Sequence, residues 1–422
     1  MSRALYSLIW RIALPLVLAR LLWRSLREPG YRAHWGERLG FYGKRGTGCH
    51  TLWIHAVSVG ETRAAEPLID ALMAAYPYSR IVLTHMTPTG RAAGRDLFAR
   101  HGERLVQSYL PYDTSAMVTR FMKHFKPRIC ILMETEVWPN LIAVCKQRGI
   151  AVALVNARLS ERSLRRAGRF GALMTDAARA ISLVAAQTEA DAERVRSLGV
   201  RHIEVTGSIK FDVVVAPEAM AAGAVLRARI GARPVLLCAS TRDGEEALIL
   251  DACQRLASTP AGMLLLIVPR HPQRFDDVAR LVQSRGLTLA RRSAQGPVAP
   301  DVDVLLGDSM GEMFAYYAAC DCAFIGGSLL PLGGQNLIEA CALGKPVLIG
   351  EHTFNFAQAT DEAVAAGAAW RARDAGHMLQ LAGALLQDAP ERARMGERAS
   401  AFADRHRGAT ARTVELLRRL IY

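Results

Sequence analysis

Thr51-Leu-Trp-Ile-His-Ala-Val-Ser-Val-Gly-Glu61 is the stretch on which the fold turns. The apolar run from Thr51 to Ile54 has the make-up of a buried strand, and a helical pattern takes over from Thr62. Between them lies a small-residue turn in which Gly60 lets the backbone approach a ligand closely, and Glu61 falls in the first helical turn. That order places a carboxylate at the carboxyl end of a strand, where open α/β sheets bind and react. Taken by itself, Glu61 has two readings: a reacting carboxylate, or a side chain that complements the helix dipole.

The same alternation spreads outward. Strand-like runs at 51–59, 80–86, 128–134, 151–155, 181–186 and 203–206 are separated by helical patterns, as in a parallel sheet covered on both faces. Besides Ser58-Val-Gly-Glu61, three more strand ends are polar. Thr84-His-Met-Thr-Pro-Thr-Gly90 opens a helix and suits an anion or a sugar hydroxyl. Glu134-Thr-Glu136-Val-Trp-Pro-Asn140 brings two carboxylates off an apolar strand, two apart and hence on one face, either solvated or with one member lining a cleft. Gly207-Ser-Ile-Lys-Phe-Asp212 offers Lys210 to an anionic group, or to solvent. Four such ends in one sheet favour a cleft along that edge.

A second alternation begins after Val213-Val-Val-Ala-Pro217, with strands at 235–241, 263–268, 303–306, 322–325 and 346–349. Gly326-Gly327 and Gly333-Gly334, followed by a helix from about Asn336, read as a phosphate cradle of backbone N–H groups and a helix N-terminus. The loop is neither a Walker loop nor G-x-G-x-x-G, which removes support for ATP hydrolysis and for dinucleotide binding. Glu339 can accept from ribose hydroxyls, and the planar fork of Arg270 suits a phosphate or a sugar carboxylate.

With 422 residues, 51% of them hydrophobic and 22% charged, the chain has room for two ordinary domains and little disorder. A formal charge of +14 calls for an anionic partner. Aromatic residues are only 7% and no zinc-finger or RNA-binding signature is present, so nucleic acid is disfavoured against an anionic membrane or a phosphorylated substrate. Eight scattered cysteines fit a reducing compartment better than a disulfide framework, and Cys320 and Cys322 read as core. At the N-terminus, Leu5 to Trp23 is apolar but interrupted by Arg11, Pro15 and Arg20, while Arg20, Arg24 and Arg27 share one helical face. Residues 1–48 hold nine Lys or Arg against two Glu, so half the excess charge lies here. The pattern fits a helix in or dipping into a membrane interface on the cytoplasmic side rather than a span or a cleaved signal, the other reading being a core helix packed on the domain.

Two Rossmann-like halves with a nucleotide site in the second describe the GT-B glycosyltransferase architecture. His55-Ala-Val-Ser-Val-Gly-Glu61, Met133-Glu-Thr-Glu-Val-Trp-Pro-Asn140, Gly207-Ser-Ile-Lys-Phe-Asp212, Pro269-Arg-His271 and Gly333-Gly-Gln-Asn-Leu-Ile-Glu339 together closely resemble the 3-deoxy-D-manno-octulosonate (Kdo) transferases. Tyr31-Arg-Ala-His-Trp-Gly-Glu-Arg-Leu-Gly40 is similar to that family too, and the resemblance runs the length of the chain in order. It implies a GT-B enzyme whose two α/β domains face an interdomain cleft: an anchor at 1–42, an acceptor domain at 43–215, a donor domain at 216–395, and a C-terminal helix at 396–422 packing back on the first domain. It implies inverting transfer of Kdo from CMP-Kdo to the lipid A precursor, a tetraacyldisaccharide 1,4'-bisphosphate, at the cytoplasmic face of the bacterial inner membrane. Glu61 is then the general base, with Glu134 and Lys210 supporting the transition state. CMP falls to Pro269 and Arg270, to Gly311, Glu312 and Met313, and to Asn336, Leu337, Ile338 and Glu339. No metal or other cofactor is expected. The competing readings are a membrane-associated GT-B enzyme using a UDP-sugar, and a nucleotide-binding membrane protein without catalysis.

Overall fold

The computed structural model describes residues 1–43, 50–213, 215–255 and 262–421, so Lys44, Arg45 and Cys49 lie outside the described residues. Two units divide the chain: Met1–Asp212 with Arg407–Tyr422, and Val213–His406. Each is centred on a seven-stranded sheet.

In the first unit the strands are β1 (His50–His55), β2 (Ser79–His85), β3 (Leu105–Tyr109), β4 (Pro127–Met133), β5 (Ala151–Ala157), β6 (Leu183–Ala186) and β7 (Ile203–Val205). They pair in the order β3-β2-β1-β4-β5-β6-β7, all parallel. Alternate residues of each central strand enter opposite cores. Leu52, Ile54, Ile129 and Ile131 pack with Leu68, Leu72 and Leu417, whereas Trp53, Cys130 and Leu132 pack with Phe121, Leu141 and Val144. Burial on both faces is why β1 and β4 are near-continuous apolar runs. The strand order reverses between β1 and β4, which opens a crevice at the carboxyl ends of those two strands.

The second unit holds β8 (Val235–Thr241), β9 (Leu264–Pro269), β10 (Leu289–Arg291), β11 (Val304–Leu306), β12 (Cys322–Ile325), β13 (Val347–Ile349) and β14 (Ala369–Arg371). The order is β10-β11-β9-β8-β12-β13-β14, again parallel, with the reversal between β8 and β12.

Three strands were not legible: β3, β10 and β14. Each is a short edge or near-edge segment with polar residues (Gln107 and Ser108 in β3, an arginine in each of the others), so none presents an apolar run. The run 51–59 is a strand only to His55. Ser58 caps a helix from Val59, which overrides the β-propensity of Val57 and Val59. The C-terminal segment is two helices, not one. Ala389–His406 stays with the second unit, whereas Ala409–Ile421 adds Val414, Leu416 and Leu417 to a core of the first. Asp212 ties that return, its carboxylate accepting from the N–H groups of Gly408 and Thr410.

Arg3–Arg27 forms one helix straight through Pro15. By length and composition it is the helix among the described residues that could cross a membrane. One side of it is committed to the first unit: Tyr6 donates to Asp113 (2.9 Å), Ser7 to Asn140 (3.0 Å), Trp10 lies 5.8 Å from Tyr112, and Leu21 and Ser25 are buried. Leu5, Leu8, Ile12, Leu16 and Trp23 are exposed on the remainder. The seven cysteines among the described residues are free thiols, six of them buried.

Candidate functional site

Glu61 reaches its place through the local chemistry of Ser58. The Ser58 hydroxyl accepts from the Glu61 N–H, and the Glu61 carboxylate returns to accept from the Ser58 hydroxyl (3.1 Å) and the Val57 N–H (2.8 Å). This is close to a capping box, so the helix-terminus role of Glu61 is real. It does not exhaust the carboxylate, which has about four lone-pair directions. Gly60 lies inside the helix, where a Cβ would meet only the Ser58 hydroxyl at 3.8 Å, an ordinary contact, and not in a tight turn. The close approach falls to Gly90 instead, whose Cβ would stand 3.3 Å from the backbone of Val57 and Ser58.

Across the strand reversal, β4 ends at Met133 and Glu134 turns into left-handed backbone (φ 58°). Glu134 and Glu136 are therefore not two residues of one strand face. A non-glycine residue there is strained. Its N–H is held by Val155 O (3.0 Å), and its carboxylate meets Lys210 Nζ at 3.0 Å. Lys210 projects from a turn at Ile209–Phe211 whose flanking side chains are buried.

Three carboxylates thus come near one another, two of which, Glu61 and Glu134, interact with Lys210. Burial raises the Glu61 pKa, with Glu134 adding to the shift while the Val57 N–H, Ser58 and Lys210 oppose it. Burial pushes Glu136 up to about 7, helped by Glu61 and Glu134. His55, fully buried beside Thr84, is pushed down to about 3 by burial and by His85, so it stays neutral and leaves proton transfer to the carboxylates.

Asn156 has no counterpart in the sequence reading. It lies one residue before the end of β5 in left-handed backbone (φ 52°), fully buried, and its Oδ1 accepts from the Ile209 N–H (3.1 Å) and the Ser208 hydroxyl (3.4 Å). Lys210 is thereby held from behind. Asn156→Ala should lower kcat/KM roughly 10- to 100-fold, because an angstrom-scale shift of a reacting group costs that much. Asn156→Asp, which keeps the acceptor and tolerates left-handed backbone, should retain most activity. Steady-state kinetics beside thermal melts check this: equal destabilisation with unchanged kcat/KM in Asn156→Ala would reduce Asn156 to a packing residue.

In the second unit the named residues lie on segments that follow the carboxyl ends of strands. Pro269 and Arg270 leave β9, Gly311, Glu312 and Met313 leave β11, and Asn336 to Glu339 follow β12. Glu312 bonds Arg292 (3.1 Å) and Ser309. Asn336 caps the short helix from Ile338 with its Oδ1 (3.0 Å) and donates to Glu339 (3.1 Å). Leu337 and Ile338 have buried side chains, so what they can offer a ligand is backbone.

The Gly326-Gly327 loop is not an open phosphate cradle. The amides of Gly327 (2.6 Å), Ser328 (3.0 Å) and Leu329 (3.0 Å) all donate to Glu245, which also accepts from Arg242 N (2.9 Å) and is fully buried. The nest holds an anion of the protein's own. Among the described residues no group of three His, Cys, Asp or Glu is arranged as a metal site.

Residues 33–213 match the family model described as 3-deoxy-D-manno-octulosonic-acid transferase (kdotransferase). A 3-deoxy-D-manno-octulosonic acid transferase of Bordetella pertussis is 46% identical over 99% of this chain and 99% of its own. The chain belongs to the Kdo transferase family. A second member, from Haemophilus influenzae, is 37% identical over 99% of this chain and 98% of its own. The fold has wider company. A glycosyltransferase of Rickettsia africae aligns with TM-score 0.60 at 11% identity, covering 89% of this chain and 99% of the other. A UDP-GlcNAc 2-epimerase of Neisseria meningitidis gives 0.59 at 17%, covering 88% and 100%. These two speak to the fold, a pair of parallel-sheet α/β domains of the GT-B kind. As a Kdo transferase the protein is a glycosyltransferase, and the polar strand ends of both sheets are the places to seek its chemistry.

Proposed function

We propose that this Kdo transferase moves Kdo from CMP-Kdo to the lipid A precursor, tetraacyldisaccharide 1,4'-bisphosphate, with inversion at the anomeric carbon. The observation that carries the reading is the Glu61, Glu134, Glu136 and Lys210 cluster at the strand reversal of the first sheet. A sugar hydroxyl is a poor nucleophile, and a half-buried carboxylate with a raised pKa is suited to take its proton as it attacks. The oxygen bonds to the anomeric carbon, the bond to CMP breaks, and the electron pair leaves with the phosphate. Lys210, held by Glu134, offers positive charge where charge develops. Pro269 and Arg270, the Gly311–Met313 turn and the Asn336–Glu339 turn are assigned to CMP. The reading includes no metal ion and no nucleic acid.

For localisation, the contacts of Tyr6, Ser7, Leu21 and Ser25 on one side of the Arg3–Arg27 helix and the exposed apolar residues on the rest support a helix lying in the membrane plane with its apolar side toward lipid. We place it on the cytoplasmic face of the inner membrane, beside anionic lipid.

Purified protein given CMP-Kdo and the precursor should yield, by mass spectrometry, product heavier by whole Kdo units, with or without chelator. CMP should raise the melting temperature and UDP should not. Stabilisation by UDP alone would move the assignment to a UDP-sugar enzyme, and CMP binding without product to a non-catalytic protein.

A further inference from the structure

The Glu161–Gly168 helix is anomalous on its own unit. None of its eight residues is buried, and its fold is held locally by the Ser160 cap. Arg162, Arg165 and Arg166 within it and Arg158 and Arg169 beside it are all exposed. Arg162, Arg166 and Arg169 stand at i, i+4 and i+7, hence on one side, and like charges at that spacing repel. Arg165 has Glu161 at 3.9 Å, whereas Arg162, Arg166 and Arg169 have no carboxylate partner among the described residues. The repulsion is small in water, and it leaves the three guanidinium groups available to an anion from outside the chain.

Its neighbours say which kind. At one end the Arg158 N–H donates to the Glu134 carbonyl (3.4 Å), tying the segment to the carboxylate cluster. At the other, the Phe170 carbonyl accepts from the N-terminal ammonium of Met1 (3.2 Å), tying it to the start of the apolar helix where Leu5, Leu8, Ile9 and Ile12 are exposed. Exposed guanidinium groups on a segment tied at one end to the carboxylate cluster and at the other to an apolar strip fit an amphiphile with a phosphate near its sugar, and fit an acidic peptide or nucleic acid poorly. We propose that Arg162, Arg166 and Arg169 bind a phosphate group of the lipid acceptor and so orient its hydroxyl toward Glu61. The proposal rests on the bisphosphorylated acceptor named above.

The test uses the full chain carrying Arg162→Gln, Arg166→Gln and Arg169→Gln together, with a triple Arg→Lys variant as charge control. Acceptor KM should rise at least about tenfold in the Gln variant and less in the Lys variant, since each surface arginine contributes on the order of a factor of five toward an anionic lipid. KM for CMP-Kdo and the melting temperature should not move. The wild type should handle an enzymatically dephosphorylated acceptor as poorly as the Gln variant handles the bisphosphate. Unchanged acceptor KM would overturn the proposal. So would lost binding to phosphatidylglycerol vesicles with acceptor KM intact in detergent, which would assign the arginines to bilayer headgroups. Direct binding of the bisphosphate lipid is measured alongside. Wild type that binds it better than the variant yet transfers nothing would overturn the transferase assignment instead, and equal binding by both would overturn the role of the arginines.

Discussion

Glu61→Gln should lose transfer by roughly 100- to 10,000-fold, the range that a positioned general base supplies. The substitution is discriminating because Glu61 has two jobs. Its carboxylate closes the start of the Val59–Ala64 helix through Val57 and Ser58, and an amide can keep both bonds, accepting from Val57 and donating to Ser58. The fold, the melting temperature and CMP binding should therefore survive while proton abstraction does not. The pH profile supplies a second readout. A base works ionised, so activity falls as pH drops through its pKa, and the raised pKa of Glu61 moves that acid limb above the ordinary glutamate range. Glu136 and Glu61 interact, so their titration belongs to the pair. Glu134 is the carboxylate whose charge adds to the Glu61 shift, so Glu134→Gln should move the limb to lower pH. Glu61→Gln that keeps even a tenth of wild-type kcat would show that Glu61 is helix punctuation and that proton transfer belongs elsewhere in the cluster.

The legibility of this chain follows from where its information is stored. β1 and β4 are readable because a central parallel strand is buried on both faces and must be apolar throughout. Glu61, Glu134 and Lys210 are readable because each interrupts or follows such a run with a charge. Edge strands carry no such mark. Asn156 and Glu245 carry none either, since their meaning comes from partners far away in sequence: Ile209 lies 53 residues from Asn156, and Gly327 lies 82 from Glu245. The Gly326-Gly327 loop shows the difference most clearly. Its composition signals a concave set of N–H donors awaiting an anion, and that inference is sound. Composition is silent on whether the anion is a ligand or a side chain returning from another loop.

Glu245→Ala is accordingly expected to destabilise the second unit by about 3 kcal/mol or more, as buried donors stranded without acceptors cost on the order of 1–3 kcal/mol each. The four N–H groups of Arg242, Gly327, Ser328 and Leu329 would lose their common acceptor, those of Gly327 and Ser328 in a buried position. Glu245→Gln should fall between, since one oxygen still serves some donors while the amide nitrogen faces others. Denaturant unfolding of the second unit's transition measures the loss. Added phosphate or CMP gives the decisive comparison. If the nest exists to hold Glu245, Gly326 must press against Ser240 and Thr241, where a Cβ would stand 2.6 Å from backbone, and no ligand phosphate substitutes for the missing side chain. If the nest is instead a nucleotide cradle that Glu245 merely occupies, Glu245→Ala should bind phosphate and regain its stability in proportion to the concentration added.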